Sequence, residues 1–130
     1  MTIARLGLIT LDCADHDELA SFWARLLGGE IAYRADTVAV VRSERGVLAA
    51  VAVPGYRPPT WPNGPTPSHI HLDLVVDDLD SGEREALGLG ARRAATQPDP
   101  DRWRVLLDPA GHPFCLTTHI PLFPLGVLTP

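Results

Sequence analysis

The segment Ser68-His69-Ile70-His71-Leu72-Asp73-Leu74-Val75-Val76 carries two imidazoles and a carboxylate at every second position. On an extended strand that spacing puts His69, His71 and Asp73 on one face and Ile70, Leu72 and Leu74 on the other. One face then binds a core, while the other offers groups that move protons, accept hydrogen bonds or hold a metal ion. His71 reads either as a general base and ligand-bonding group, or as a plain wall residue bonded to Thr117 or water. His69 and His71 at i and i+2 also read as a zinc-binding pair with Cys115 as third donor. Asp73 stands a further strand step along, about 6.5–7 Å away, which the spacing puts beyond such an ion. Its remaining roles are to orient an imidazole, to bind an amine, or to pair with Arg104. Cys115 is a nucleophile if a histidine lowers its pKa, and otherwise a small thiol filling space.

The 130 residues are 45% hydrophobic, enough for one compact domain with its own core. A net charge of −5 argues against nucleic acid and anionic membranes as partners. The densest basic spots, Arg42-Ser43-Glu44-Arg45 and Arg92-Arg93, are too short to track phosphates. No apolar run reaches the roughly 20 residues of a membrane span, and the stretch after Arg5 is too short for a secretory signal. A cytoplasmic protein with Cys13 and Cys115 as free thiols is expected.

Prolines punctuate the chain: Pro54, Pro58, Pro59, Pro62, Pro65 and Pro67 fill one connector, residues 54–67. Before it, residues 5–11 read as a buried strand, and Asp15 with Glu18 forms a capping box. Leu19, Phe22, Trp23, Leu26 and Leu27 then recur at helical spacing until Gly28-Gly29 stops the helix. Strands are predicted near 30–34, 37–42 and 47–53. After the connector the plan repeats: a strand over 69–76, a helix from Glu83 to Leu89, and strands near 91–95, 102–107 and 113–118. Asp108-Pro109-Ala110-Gly111 is the last hairpin turn. Two strand–helix–three-strand units, 3–53 and 68–118, make a structural repeat within a single domain, followed by an apolar tail over 119–130.

This doubled unit resembles the vicinal oxygen chelate superfamily, which includes glyoxalase I, bleomycin-resistance proteins, extradiol dioxygenases and fosfomycin-resistance enzymes. The residues that carry the resemblance are Leu11-Asp12-Cys13-Ala14-Asp15, Leu19 to Gly28, His71 to Asp80, and Asp108 to Phe114. The connector from Val53 to Pro62 looks like that of the glyoxalase-like subgroup. The resemblance implies an α+β fold: two βαβββ units forming a cupped eight-stranded mixed sheet with helices outside. It also implies metal-ligand positions at Leu8, Val51, His71 and Cys115, of which only His71 is a usual ligand. No cofactor is therefore expected; a divalent metal, if one bound, would use His71, His69 and Cys115.

The expected cup wall is half apolar and half polar, with Leu8, Thr10 and Val51 from the first unit. His69, His71, Asp73, Cys115 and Thr117 come from the second, with Trp61 as a lid. The function this implies is a metal-independent binder of an apolar or aromatic small molecule. The alternative is a lyase or isomerase of the glyoxalase kind, with His71 as acid–base or residual metal ligand. The apolar tail, too costly to leave in water, is expected to pack on its own domain or on a second subunit, and a homodimer follows from the resemblance.

Overall fold

The computed structural model describes residues 2–120, so the tail expected to act as a strap lies, beyond Ile120, outside the described residues. The chain separates into two compact units, Met1–Tyr56 and Arg57–Pro130. Unit one runs β1 (Ile9–Cys13), α1 (His16–Leu27), β2 (Glu30–Arg34), β3 (Val38–Ser43) and β4 (Gly46–Ala52). Its sheet has the order β1-β4-β3-β2, with β1 parallel to β4 and the other pairs antiparallel.

Helix α1 forms where its caps and apolar stripe demand it. Asp15 accepts a hydrogen bond from the Glu18 amide at 3.1 Å, and Gly28 closes the helix in the left-handed conformation at φ 63°. The stripe buries Leu19, Phe22 and Trp23. α1 lies against β3 and β4, whose alternation buries Ala39, Val41 and Leu48. Gly29 follows the cap and passes close to β3: a Cβ there would lie 2.4 Å from the Arg42 carbonyl oxygen. Backbone cannot yield as a flexible side-chain tip does. Gly29→Ala is therefore expected to destabilise the protein by about 1–3 kcal/mol, and a urea midpoint equal to wild type would refute this close approach.

Unit two repeats the plan with β5 (Leu72–Val75), α2 (Leu79–Leu89), β6 (Arg92–Arg93), β7 (Trp103–Leu107) and β8 (Pro113–Thr117). The sheet order is β5-β8-β7-β6, with β5 parallel to β8. α2 starts at Leu79, earlier than the Glu83 expected, because Asp78 caps it and accepts from the Ser81 amide at 2.8 Å. That bond to the carboxylate also holds Asp78 below its ordinary pKa. The turn into β8 is built on Asp108, fully buried, whose Oδ1 accepts from the Ala110 and His112 amides at 2.9 and 3.0 Å.

Two mixed four-stranded sheets, each with its own helix, give the α+β class and the doubled βαβββ order that the sequence predicts. The first strand of each unit is displaced from its expected span. β1 starts at Ile9 and runs through Asp12 and Cys13, past the expected end at Leu11. β5 starts at Leu72 and leaves His69, Ile70 and His71 outside it. Leu72 pairs with Phe114, so one residue earlier the chain would face Pro113, which has no N–H to give. Among the described residues no helix is long and apolar enough to cross a membrane.

Candidate functional site

Register decides which side chains of unit two meet. In the parallel β5–β8 pair Asp73 lies opposite Cys115. In the antiparallel β7–β8 pair Val105 lies opposite Cys115 and Trp103 opposite Thr117. Directly opposed residues share a face, and so do positions i and i+2. Asp73, Cys115, Thr117 and Trp103 therefore project from the same side of this sheet. A cavity of about 440 Å³ lies over that side, lined by those four together with Trp61, His71, Pro98, His119 and Ile120.

One wall is aromatic. Trp61 and Trp103 pack, with Leu107, around a small core of Ala94, Val105 and Cys115. The Trp61 indole N–H donates to the Thr96 carbonyl at 3.4 Å, so the connector that carries Trp61 is tied to the unit it covers. The Thr117 hydroxyl lies 3.3 Å from the carbonyls of Arg102 and His119, either of which can accept its one proton, and does not bond His71.

The other end is polar. The His71 Nε2 lies 3.4 Å from the Asp73 Oδ1. One donor atom each from His71, Asp73 and Cys115 all fall within 4.8 Å of one another. His71 and Asp73 are exposed, whereas Cys115 is only 6% exposed. Burial pushes the Cys115 thiol up to about 11, aided by the nearby Asp73 carboxylate, which repels a thiolate and holds the thiol in a hydrogen bond. At neutral pH this sulfur carries its proton, and nothing here activates it as a nucleophile.

The site therefore differs in membership from the sequence expectation. His69 sits exposed on a bend and does not line the cavity, while Asp73 joins His71 and Cys115. Strand spacing set Asp73 too far away because it assumed an extended strand through His69. With His71 just ahead of β5, its ring and the Asp73 carboxylate converge. Leu8, Thr10 and Val51 belong to unit one: Leu8 precedes β1, Thr10 is exposed on it, and Val51 is half-buried opposite Asp12. None of them lines this cavity. Arg104 pairs with Asp80 at 2.6 Å and donates to the Pro100 carbonyl, so it neither faces an anion site nor serves Asp73. That carboxylate raises the guanidinium pKa further above its already high value.

Trp103, Pro98, His119 and Ile120 are lining residues that the sequence reading missed. Trp103 was recoverable: once Thr117 is placed on the wall, antiparallel pairing brings Trp103 beside it. Pro98 and the chain beyond β8 leave no such signal.

Residues 8–117 match the model of the glyoxalase-like domain. The chain belongs to the glyoxalase-like domain family. Its architecture is that of the vicinal oxygen chelate superfamily, as the solved structures also show. A mutant of the fosfomycin resistance protein FosX from Listeria monocytogenes, complexed with Mn(II) and a dihydroxypropylphosphonic acid, is 17% identical with a TM-score of 0.70. The match covers 93% of this chain and 94% of that one. A bleomycin resistance determinant encoded on transposon Tn5 is 21% identical, TM-score 0.57, over 89% and 98%. A glyoxalase/bleomycin resistance protein/dioxygenase family enzyme from Burkholderia phytofirmans is 17% identical, TM-score 0.65, over 87% and 97%. These identities establish the fold alone. No curated protein sequence matches the chain.

Metal binding is a property this superfamily invites, and the residues present test it. The glyoxalase-like domain has hydrocarbon side chains at Leu8 and Val51, so the four carried-over positions do not assemble a ligand set. The cluster in unit two does offer a nitrogen, an oxygen and a sulfur, the donor types that zinc accepts. The residues fit a metal ion, though through Asp73 and not through His69.

Proposed function

We propose that this glyoxalase-like domain binds a small molecule with a planar apolar or aromatic part in the cavity of its second unit. The observation that carries this reading is a cavity of about 440 Å³ lined by the indoles of Trp61 and Trp103 together with the polar side chains of His71, Asp73 and Thr117. That is the size and make-up of an organic-ligand site: mostly apolar, with a few polar groups to set orientation. Indoles already fixed by packing lose little freedom on binding, so stacking against them is favourable. The bleomycin resistance determinant of similar fold is, by its name, in keeping with such a role. This mode of binding draws on aromatic contact and needs no metal ion.

Thermal-shift screening with planar aromatic compounds tests it. A ligand held at about 100 times its dissociation constant stabilises the fold by about 2.7 kcal/mol, several degrees for a domain of this size. Trp103→Ala should abolish that shift, while His71→Ala should reduce it only modestly. An equal shift in the Trp103→Ala protein, shown folded by circular dichroism, would sink the proposal.

The 3.4 Å approach of His71 to Asp73 favours a second reading, an enzyme that moves a proton on a carbonyl or enolisable substrate. Asp73 would orient the imidazole, and His71 would take the proton. In that case His71→Gln abolishes turnover and leaves ligand binding nearly intact.

A further inference from the structure

The cavity of unit two is lined by two indoles and one carboxylate and, among the described residues, by no arginine. The chain has no lysine at all. We propose that the ligand of this cavity is a planar aromatic compound bearing a protonated amine, its ring on the Trp103 indole and its ammonium group on the Asp73 carboxylate. The inference rests on the aromatic-ligand reading above, and adds the charge of the ligand and the residue that selects it.

Sheet register sets the span between the two contacts. Asp73 stands on β5 and Trp103 on β7, on either side of β8, and both share the face that carries Cys115 and Thr117. Two strand spacings and one two-residue step put their backbones about 10–12 Å apart. An indole and a carboxylate reaching into that gap leave room for a ring that carries its amine on a short arm. Trp103 is held in place by packing, lying with Trp61 against Ala94, Val105 and Cys115. The stacking surface is therefore formed before the ligand arrives.

Electrostatics admit a cation and disfavour an anion. Arg104 follows Trp103 on β7, so it points to the opposite face, where it pairs with Asp80 at 2.6 Å. The His71 Nε2, 3.4 Å from the Asp73 Oδ1, opposes the carboxylate's charge only when protonated. The Cys115 thiol hydrogen-bonds to Asp73 and brings no charge of its own. A carboxylate accepts about four hydrogen bonds, so acceptor sites stay open to an ammonium group. The Asp73 side chain is 51% exposed, so an amine that reaches it keeps part of its hydration and escapes the desolvation cost of a buried ion pair. An anionic ligand would meet this carboxylate with no arginine or lysine on the wall to offset it. The net charge of −5 also draws cations at long range.

Three indoles that differ in the end of a two-carbon arm test it: tryptamine with an ammonium, tryptophol with a hydroxyl and indole-acetate with a carboxylate. Each is titrated calorimetrically into the full chain at about pH 8, where an alkylamine is charged. Tryptamine should bind about tenfold more tightly than tryptophol, the scale of a charge-assisted hydrogen bond at a half-exposed site, and indole-acetate more weakly than either. Added salt should narrow the tryptamine preference. Asp73→Asn should remove it, bringing tryptamine to the affinity of tryptophol. Asp36→Asn removes the same charge from an exposed turn that does not line the cavity, and should keep the preference. Tryptophol or indole-acetate binding as tightly as tryptamine, or a preference that survives Asp73→Asn, would overturn the inference and leave aromatic binding standing. No binding of tryptamine overturns it as well, and the thermal-shift screen then decides separately on the aromatic-ligand reading.

Discussion

Replacing Trp23 by alanine is expected to cost about 3–5 kcal/mol, a large fraction of the stability of a domain of this size. The indole is 2% exposed, on the buried stripe of α1. It meets the Phe22 ring edge to face, with centroids 5.4 Å apart and planes at 87°. Removing it deletes a large apolar area and a favourable aromatic pair, and leaves a void between α1 and the sheet of unit one. The comparison variant is Tyr33→Ala: Tyr33 is 58% exposed on β2, so its loss should stay within about 0.5 kcal/mol. Urea unfolding followed by circular dichroism separates the two, provided the slope is the same as in wild type. A Trp23→Ala loss below about 1 kcal/mol would mean that the helix does not rest on the sheet through this residue.

The same residue shows what the sequence makes legible. Trp23 is placed in the core by spacing alone, because a helical stripe with an Asp15 cap and a glycine stop has few other ways to fold. The doubled order of elements is equally readable, since each unit carries its own cap, helix and turn signals. Strand ends are less so. Alternation through His69, His71 and Asp73 is real as a pattern, yet a strand extends only where a neighbour can pair with it. That neighbour ends at Pro113, a fact of tertiary register that local spacing does not contain.

The shorter strand also changes which side chains cluster. An extended chain through His69 puts two imidazoles on one face and holds Asp73 a full step away. Ending the strand at Leu72 frees His71 to meet Asp73, and the cluster changes from His69–His71–Cys115 to His71–Asp73–Cys115. Trp61, Thr117 and Cys115, expected on the wall of a cup, line the cavity of unit two. Trp103 needed the cross-strand partner of Thr117, and so became visible only with register.

Alkylation of Cys115 in the chelator-treated protein should be slow at neutral pH and rise steeply only as pH climbs towards 11. Burial is the main cause, and the Asp73 carboxylate adds to it: together they move the thiol from 9.0 to about 11. Two pH units mean about 100-fold less thiolate at neutral pH than an ordinary cysteine holds, and only the thiolate attacks. The same shift sets a stability window. Below pH 9 the thiol is protonated whether the chain is folded or not. Between about 9 and 11 the unfolded chain gives up this proton first, so the folded state loses stability as pH rises. Cys115→Ala should flatten that part of the stability profile.

Asp73→Asn separates the two causes, because it removes the carboxylate and leaves the burial. Its rate profile should move to lower pH while staying above that of a free thiol. Peptide mapping distinguishes Cys115 from Cys13, which is also buried. Fast alkylation of wild-type Cys115 at pH 7 would restore the nucleophile reading that the raised pKa argues against. An Asp73→Asn profile identical to wild type would show that the carboxylate does not bear on the sulfur, and the shared cluster would then lose one of its three members.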